Sequence, residues 1–195
     1  MAKELFDLKD IDSLVRQLLR ERGTINLRDF EIPHYEIYPS YKSVNFSFTQ
    51  KNYKREMKEA VESVLGSLSG DQESYNSLYT ALYEAVMNAY QHGNKQNPNK
   101  KVTIAYKINP KSAEIAVIDE GGTLDMEFIP FVLMHKGKKL EKFLNFYEFT
   151  GRPKPITNNG TGTSFMHTYV DEVFYFKSGN GGLVVHLTKE LKKKG

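Results

Sequence analysis

The sequence contains no cysteine, which excludes disulfides and thiolate metal sites and fits a reducing compartment. It has no apolar run approaching the length needed to span a bilayer, so no membrane role is expected. Its first residues, MAKELFDLKDIDSL, show neither a continuous apolar segment nor a cleavage-site pattern, and no secretory signal is expected there. A cytoplasmic protein is the resulting expectation. A large excess of one charge is also missing. The net charge of +3 over 195 residues is too small to argue for direct nucleic-acid binding. Basic residues are spread along the chain apart from two clusters, Lys136, Lys138, Lys139 and Lys142, and Lys192, Lys193 and Lys194. The second reads as a solvated chain end. There is no internal repeat and no low-complexity segment.

What is present is ordinary for a folded domain: 39% hydrophobic and 12% aromatic residues, in a chain long enough to bury a core without a staple. Residues 8–22 place Ile11, Leu14, Val15, Leu18 and Leu19 on one helical face. Residues 23–41, with Gly23, Pro33 and Pro39, read as a linker or irregular packing segment. The expected division is therefore an N-terminal helical extension and linker over 1–41 and one domain over 42–195. Val44, Phe46 and Phe48 alternate as in a strand with one buried face. Tyr53 to Leu68 follow at helical spacing and end near Gly70, and a second helix is expected from Asp71–Ser74 to His92. Val102, Ile104 and Tyr106 predict a strand, Asn109 to Ser112 a turn, and Ile115 to Ile118 an antiparallel partner. Residues 126–159 mix short helical patterns with Gly137, Gly151, Pro153 and Pro155, and predict a long, partly ordered excursion. Thr163 to Val170 predict a short helix, and Val173 to Thr188 a closing hairpin around Ser178–Gly182. The sum is α+β: a two-layer sandwich whose mixed, mostly antiparallel sheet carries helices on one face.

Three places carry chemistry. On the second helix, Tyr75, Leu78, Leu82, Val86 and Ala89 share one arc, while Glu84, Asn88 and Gln91 fall opposite. Glu84 and Asn88 are i, i+4 neighbours, so a carboxylate and an amide project together. Hard cations such as Mg²⁺ prefer such oxygens, completed by water and phosphate. A plain solvated face would give the same stripe, and His92 reads as a capping or packing residue. Next, Val117-Ile118-Asp119-Glu120-Gly121-Gly122 puts a carboxylate at the end of a buried strand, followed by two glycines. Asp119 there can accept from an exocyclic amine, which favours adenine over guanine, and Gly121 lets backbone approach a flat ligand. A hairpin turn closed by an Asx hydrogen bond is the alternative. Last, Asn158-Asn159-Gly160-Thr161-Gly162-Thr163-Ser164 leads into a helix, a cradle whose backbone N–H groups suit phosphate. It lacks the P-loop arrangement, and a glycine-rich turn before a helix is a common feature in its own right.

The order of these three motifs resembles the ATPase superfamily of gyrase, histidine kinases and MutL. EAVMNAYQHG, VIDEGGTLD and GTGTSFMHTYVDEV are most similar to the anti-sigma factors that are also serine kinases, over roughly residues 44–190. That resemblance implies a histidine-kinase-like ATPase fold, with ATP and Mg²⁺ as cofactors. Asn88 would be the metal ligand, Glu84 the catalytic base or water-orienting carboxylate, and Asp119 the adenine reader. Gly121, Gly160 and Gly162 would make backbone contacts to the nucleotide, with Thr161 and Thr163 beside them. It also implies a sigma factor and an anti-anti-sigma (STAS-type) protein as partners, and leaves a homodimer open. An ATP-gated binding module without kinase activity is the alternative; a histidine kinase would need a phospho-accepting helical hairpin for which residues 1–41 supply only one helix. Two features depart from the pattern. Thr123 stands where many relatives have glycine, and the segment between the glycine motifs, a lid over the phosphates in relatives, is long and rich in aromatic and basic residues. Arg152 and Lys154 are its two candidate phosphate contacts.

Overall fold

The computed structural model describes residues 11–68, 71–137, 140, 143–155 and 159–191. Five strands form the main sheet: β2 (Lys42–Phe46), β3 (Val102–Ile108), β4 (Ser112–Ile118), β6 (Glu172–Lys177) and β7 (Leu183–Glu190). Their order is β2-β3-β4-β7-β6, and every ladder is antiparallel. The central strands β3, β4 and β7 alternate small or branched apolar residues, as burial on one face requires. α2 (Tyr53–Leu65), α3 (Gln72–Asn88) and α6 (Gly162–Tyr169) cover that face. Between them and the sheet lie Met57, Leu65, Leu78, Leu82, Val86, Ile104, Ile115 and Leu187, all fully buried. The expected α+β sandwich is the observed one.

α3 begins where a short polar side chain can cap it: Asp71 accepts a hydrogen bond from the Ser74 amide, the Asx capping arrangement that favours helix starts. Its last regular turn widens into a single π turn over Ala89–Gly93, closed by the Asn94 amide on the Ala89 carbonyl at 2.7 Å. Such insertions are enriched at functional sites because they re-aim the helix end. Here the π turn delivers Gly93 against Asp119.

Two expectations are corrected. β2 ends at Phe46, and Val44 is 40% exposed, because β2 is the sheet edge and no element covers its outer side at that point. Phe48, which is buried, lies beyond the strand. Residues 23–41 are not simply irregular either. Thr24–Asn26 form β1, paired antiparallel with β5 (Thr123–Asp125) in a two-stranded ribbon. Further along, His34 bridges Lys177 in parallel, and Tyr35 and Tyr41 lie on the sheet face opposite the helices, over Ala105, Ala116 and Val184. α1 (Ile11–Arg20) packs on α4 (Phe128–Lys136) through Ile11, Val15, Ile129 and Leu133. The segment between the glycine motifs thus contains α4 and the short α5 (Phe146–Thr150). Of the lysine clusters, Lys138, Lys139, Lys142 and Lys192 to Lys194 lie outside the described residues. No described helix is long and apolar enough to cross a membrane.

Candidate functional site

A cavity of about 340 Å³ opens between α3, α6, the sheet end and the β1-β5 ribbon. Its apolar side is lined by Ala89, Val117, Met166, Leu183 and Val185. At that end sits Asp119, 4% exposed. Its Oδ1 accepts from the Gly121 amide at 2.7 Å and the Leu183 amide at 3.1 Å, while Oδ2 has no hydrogen bond from the described residues. The Asx turn and the ligand reading therefore coexist: one oxygen closes the turn and the other is left over. Burial pushes the Asp119 carboxyl up to about 6, against the lowering effect of those two amides and of Lys100. Backbone crowds it from every side. A Cβ on Gly182 would overlap the Asp119 carbonyl, and one on Gly121 would come 2.7 Å from the Gly93 carbonyl oxygen.

The turn that holds Asp119 is fastened by residues with no chemistry of their own. Lys100 Nζ donates to the Glu120 carbonyl at 2.7 Å. Asn94, buried, donates to the Lys101 carbonyl and accepts from the Glu120 amide at 2.8 Å. Neither residue was anticipated from the sequence. The signal available was an Asn directly after the helix-ending His-Gly, a residue type that serves turns through its side chain.

At the other end the helix stripe meets the second glycine turn. A Cβ on Gly162 would lie 2.5 Å from Glu84 Oε2 and 3.4 Å from Asn88 Nδ2, so these three residues are in close contact. Asn88, Gly160, Gly162 and Thr163 line the cavity; Glu84, Gly121 and Thr161 do not. Glu84 instead stands behind Gly162, and burial raises its carboxyl above the usual range. Gly162 opens α6, whose first-turn amides have no partners within a helix. Gly160 takes a left-handed φ of 69°, and a Cβ there would strike the Tyr147 ring at 2.7 Å. Asn158 lies outside the described residues.

A model of the histidine kinase-like ATPase domain matches residues 46–189, about three quarters of the chain. The chain belongs to that family. No curated protein matches it significantly. Membership in the histidine kinase-like ATPase domain family implies that the chain binds ATP, and the cavity suits the nucleotide. It offers, at an apolar end, the second carboxylate oxygen of a buried aspartate, with no hydrogen bond from the described residues, and glycines at a helix N-terminus at the other. Among the described residues no group of three or more His, Cys, Asp or Glu converges as a metal site. An ion in this ATPase domain would therefore be held by one or two side chains and by the nucleotide's own phosphates, the habit of Mg²⁺. His92 is placed in the cavity wall, where burial lowers its pKa.

Several further residues of the wall were not anticipated: Thr24 from β1, Lys95, Asp125, and the rings of Phe128, Phe146 and Tyr147. Of the two candidate phosphate contacts, Arg152 lines the cavity and Lys154 is exposed outside it. Arg152 is paired with Asp125 and Glu127.

Proposed function

We propose that this ATPase domain is a Mg-ATP-dependent protein serine kinase of the cytoplasm that also holds a sigma factor, its acceptor being a serine on an anti-anti-sigma partner. The observation that carries this reading is Glu84. A carboxylate packed against Gly162 beside Asn88 is unfavourable for binding an anion alone, since like charges repel at short range. It is useful if it takes a proton, and the desolvation that raises its pKa brings it toward the pH at which a base works best. In the transfer step the acceptor serine Oγ forms a bond to the γ-phosphorus, the bond from that phosphorus to the oxygen of ADP breaks, and the hydroxyl proton goes to Glu84. Asp119 Oδ2 would accept from the adenine amine, with Gly121 holding the turn behind it. Asn88 would supply an oxygen to Mg²⁺, and Gly160, Thr161, Gly162 and Thr163 would present the backbone to the phosphates.

The position of Glu84 also supports a second reading. It stands behind Gly162 and outside the cavity wall, which fits an ATP-gated binding module that transfers nothing. Glu84→Gln separates the two. The kinase reading expects ATP affinity unchanged or higher, and single-turnover transfer to an anti-anti-sigma domain reduced about 10²-fold or more. Transfer at the wild-type rate would remove Glu84 from the mechanism. If the unmodified chain transfers nothing yet binds a partner in an ATP-dependent way, the module reading replaces the kinase.

A further inference from the structure

Glu127 is more completely buried than any other charged residue described, at 0% exposure. Its Oε1 faces the Arg22 Nε at 3.2 Å, and its Oε2 faces the Arg152 Nη2. Neither oxygen makes a hydrogen bond of ordinary geometry, so both are charge pairs with little directional hold. Arg22 follows α1 and is itself anchored by an Nη2 hydrogen bond to the Thr150 carbonyl at 3.3 Å. Arg152 has a second carboxylate, Asp125, and both of these line the cavity. Arg22 and Glu127 do not. The cluster is thus two guanidiniums on two carboxylates, and the buried carboxylate touches both guanidiniums.

The two acids differ in what they tolerate. Asp125 is about a third exposed, so water can solvate it if Arg152 leaves. Glu127 has no water to turn to, and a buried carboxylate stripped of its partner is strongly destabilising. We propose that Arg22 is a positioning residue: it keeps Glu127 paired so that Arg152 can swing from Glu127 to the phosphates of bound ATP. The N-terminal segment, outside the residues that match the family, thereby becomes part of the nucleotide site. The inference rests on ATP occupying the cavity.

The test is calorimetric titration of the full chain with ATP and, separately, with adenosine, which has no phosphates. Arg152→Ala should weaken ATP about tenfold or more and leave adenosine unchanged, the scale of one charged hydrogen bond. Arg22→Ala should do the same, because Arg152 is then the sole counter-ion of Glu127 and stays there. Arg22→Lys, which keeps a cation, should recover most of the loss. The decisive variant is Arg22→Ala with Glu127→Gln: a neutral amide needs no counter-ion, so ATP affinity should return to within about threefold of the wild type. A purely structural Arg22 would instead weaken ATP and adenosine in parallel when replaced by alanine. ATP affinity unaffected by Arg22→Ala, parallel loss of ATP and adenosine, or a double variant that stays weak would each overturn the proposal. If Arg22→Ala does not fold, Glu127→Gln alone decides: it should bind ATP as tightly as the wild type or tighter, and weaker binding contradicts the exchange. A wild-type chain that binds neither ligand sinks the nucleotide reading itself and this proposal with it. Wild-type binding without an Arg22 effect sinks this proposal only.

Discussion

At the Asp119 end of the cavity the tightest approach is backbone on backbone; at the Gly162 end it is backbone on side chain. A Cβ on Gly182 would overlap the Asp119 carbonyl, and the neighbouring turn is fixed by Lys100 and Asn94. Nothing there can move without moving the sheet. A Cβ on Gly162 would instead meet the tip of Glu84, and one on Gly160 would meet the Tyr147 ring. The nearest atoms there belong to side chains carried on a helix stripe and on the five-residue α5, although Gly160 also lies near the Phe146 backbone nitrogen. On the proposed function, the contrast would suit the two parts of a nucleotide: a rigid reader for the base, and an adjustable cradle for the phosphates.

The largest effect that sharpens this contrast is expected at Gly182. Gly182→Ala should cost about 3 kcal/mol or more of stability in urea unfolding, since a backbone carbonyl cannot step aside. Gly162→Ala should cost about 1 kcal/mol, because the Glu84 carboxylate can rotate, while ATP binding falls markedly. Equal stability losses at the two glycines would break the comparison.

Acidity offers a second probe, because the two ends respond with opposite signs. Asp119 is held at about 6 by burial, above its ordinary 3.8. Its contribution to stability is fully present below pH 3.8 and is lost as pH rises through about 6, a term of about 3 kcal/mol. On the Gly162 side, His167 stacks on His135 at 5.1 Å and contacts the Tyr175 hydroxyl at 3.1 Å. Burial, with His135 and Lys136 nearby, holds His167 at about 3 instead of 6.5. Its contribution is present above pH 6.5 and is lost as pH falls toward 3. Burial lowers His92, His135 and His186 as well, so the histidines outnumber the two carboxylates that burial raises, Asp119 and Glu84. Without nucleotide, unfolding free energy should fall between pH 7 and pH 5. His167→Gln should flatten that fall, and Asp119→Asn should steepen it. Urea titrations at several pH values would show whether the two substitutions shift the slope in opposite directions; the same direction for both would refute the assignment.

The smallest effect is expected at Lys154, which is exposed and outside the cavity wall. Lys154→Ala should change ATP affinity by no more than about 0.5 kcal/mol, the usual scale for an exposed side chain. A larger change would bring Lys154 to the phosphates and weaken the case for Arg152.

The strands and turns of the rigid end were legible, although its fasteners Lys100 and Asn94 were not. Strand alternation in β3 and β4, the turn Asn109–Ser112 and the hairpin Ser178–Gly182 are local signals, and each lies where the pattern places it. Asp119 is found at the end of a buried strand because the chain prints that strand and its glycines consecutively. The helical stripe was legible for the same reason: Glu84 and Asn88 are one turn apart, and a single period brings them together. The β1-β5 ribbon and the ion-pair cluster beside it were not. β1 has three residues, and its partner β5 lies about a hundred positions later, so no local pattern marks the pair. Arg22, Glu127 and Arg152 are equally scattered, and only the packing of α1 on α4 gathers them. β2 shows a different limit. Alternation promised a buried face, but burial depends on what lies over a strand, and an edge strand has less.

The most direct test of the nucleotide assignment is calorimetry of ATP and GTP against the wild-type chain and Asp119→Asn. Asp119 Oδ2 is an acceptor with no hydrogen bond from the described residues, adenine offers an amine at its six-position, and guanine offers a carbonyl oxygen. ATP should bind and GTP should bind at least about tenfold more weakly, and Asp119→Asn should weaken ATP by about 1–3 kcal/mol. Equal affinity for ATP and GTP, or an ATP affinity untouched by the substitution, would contradict the account.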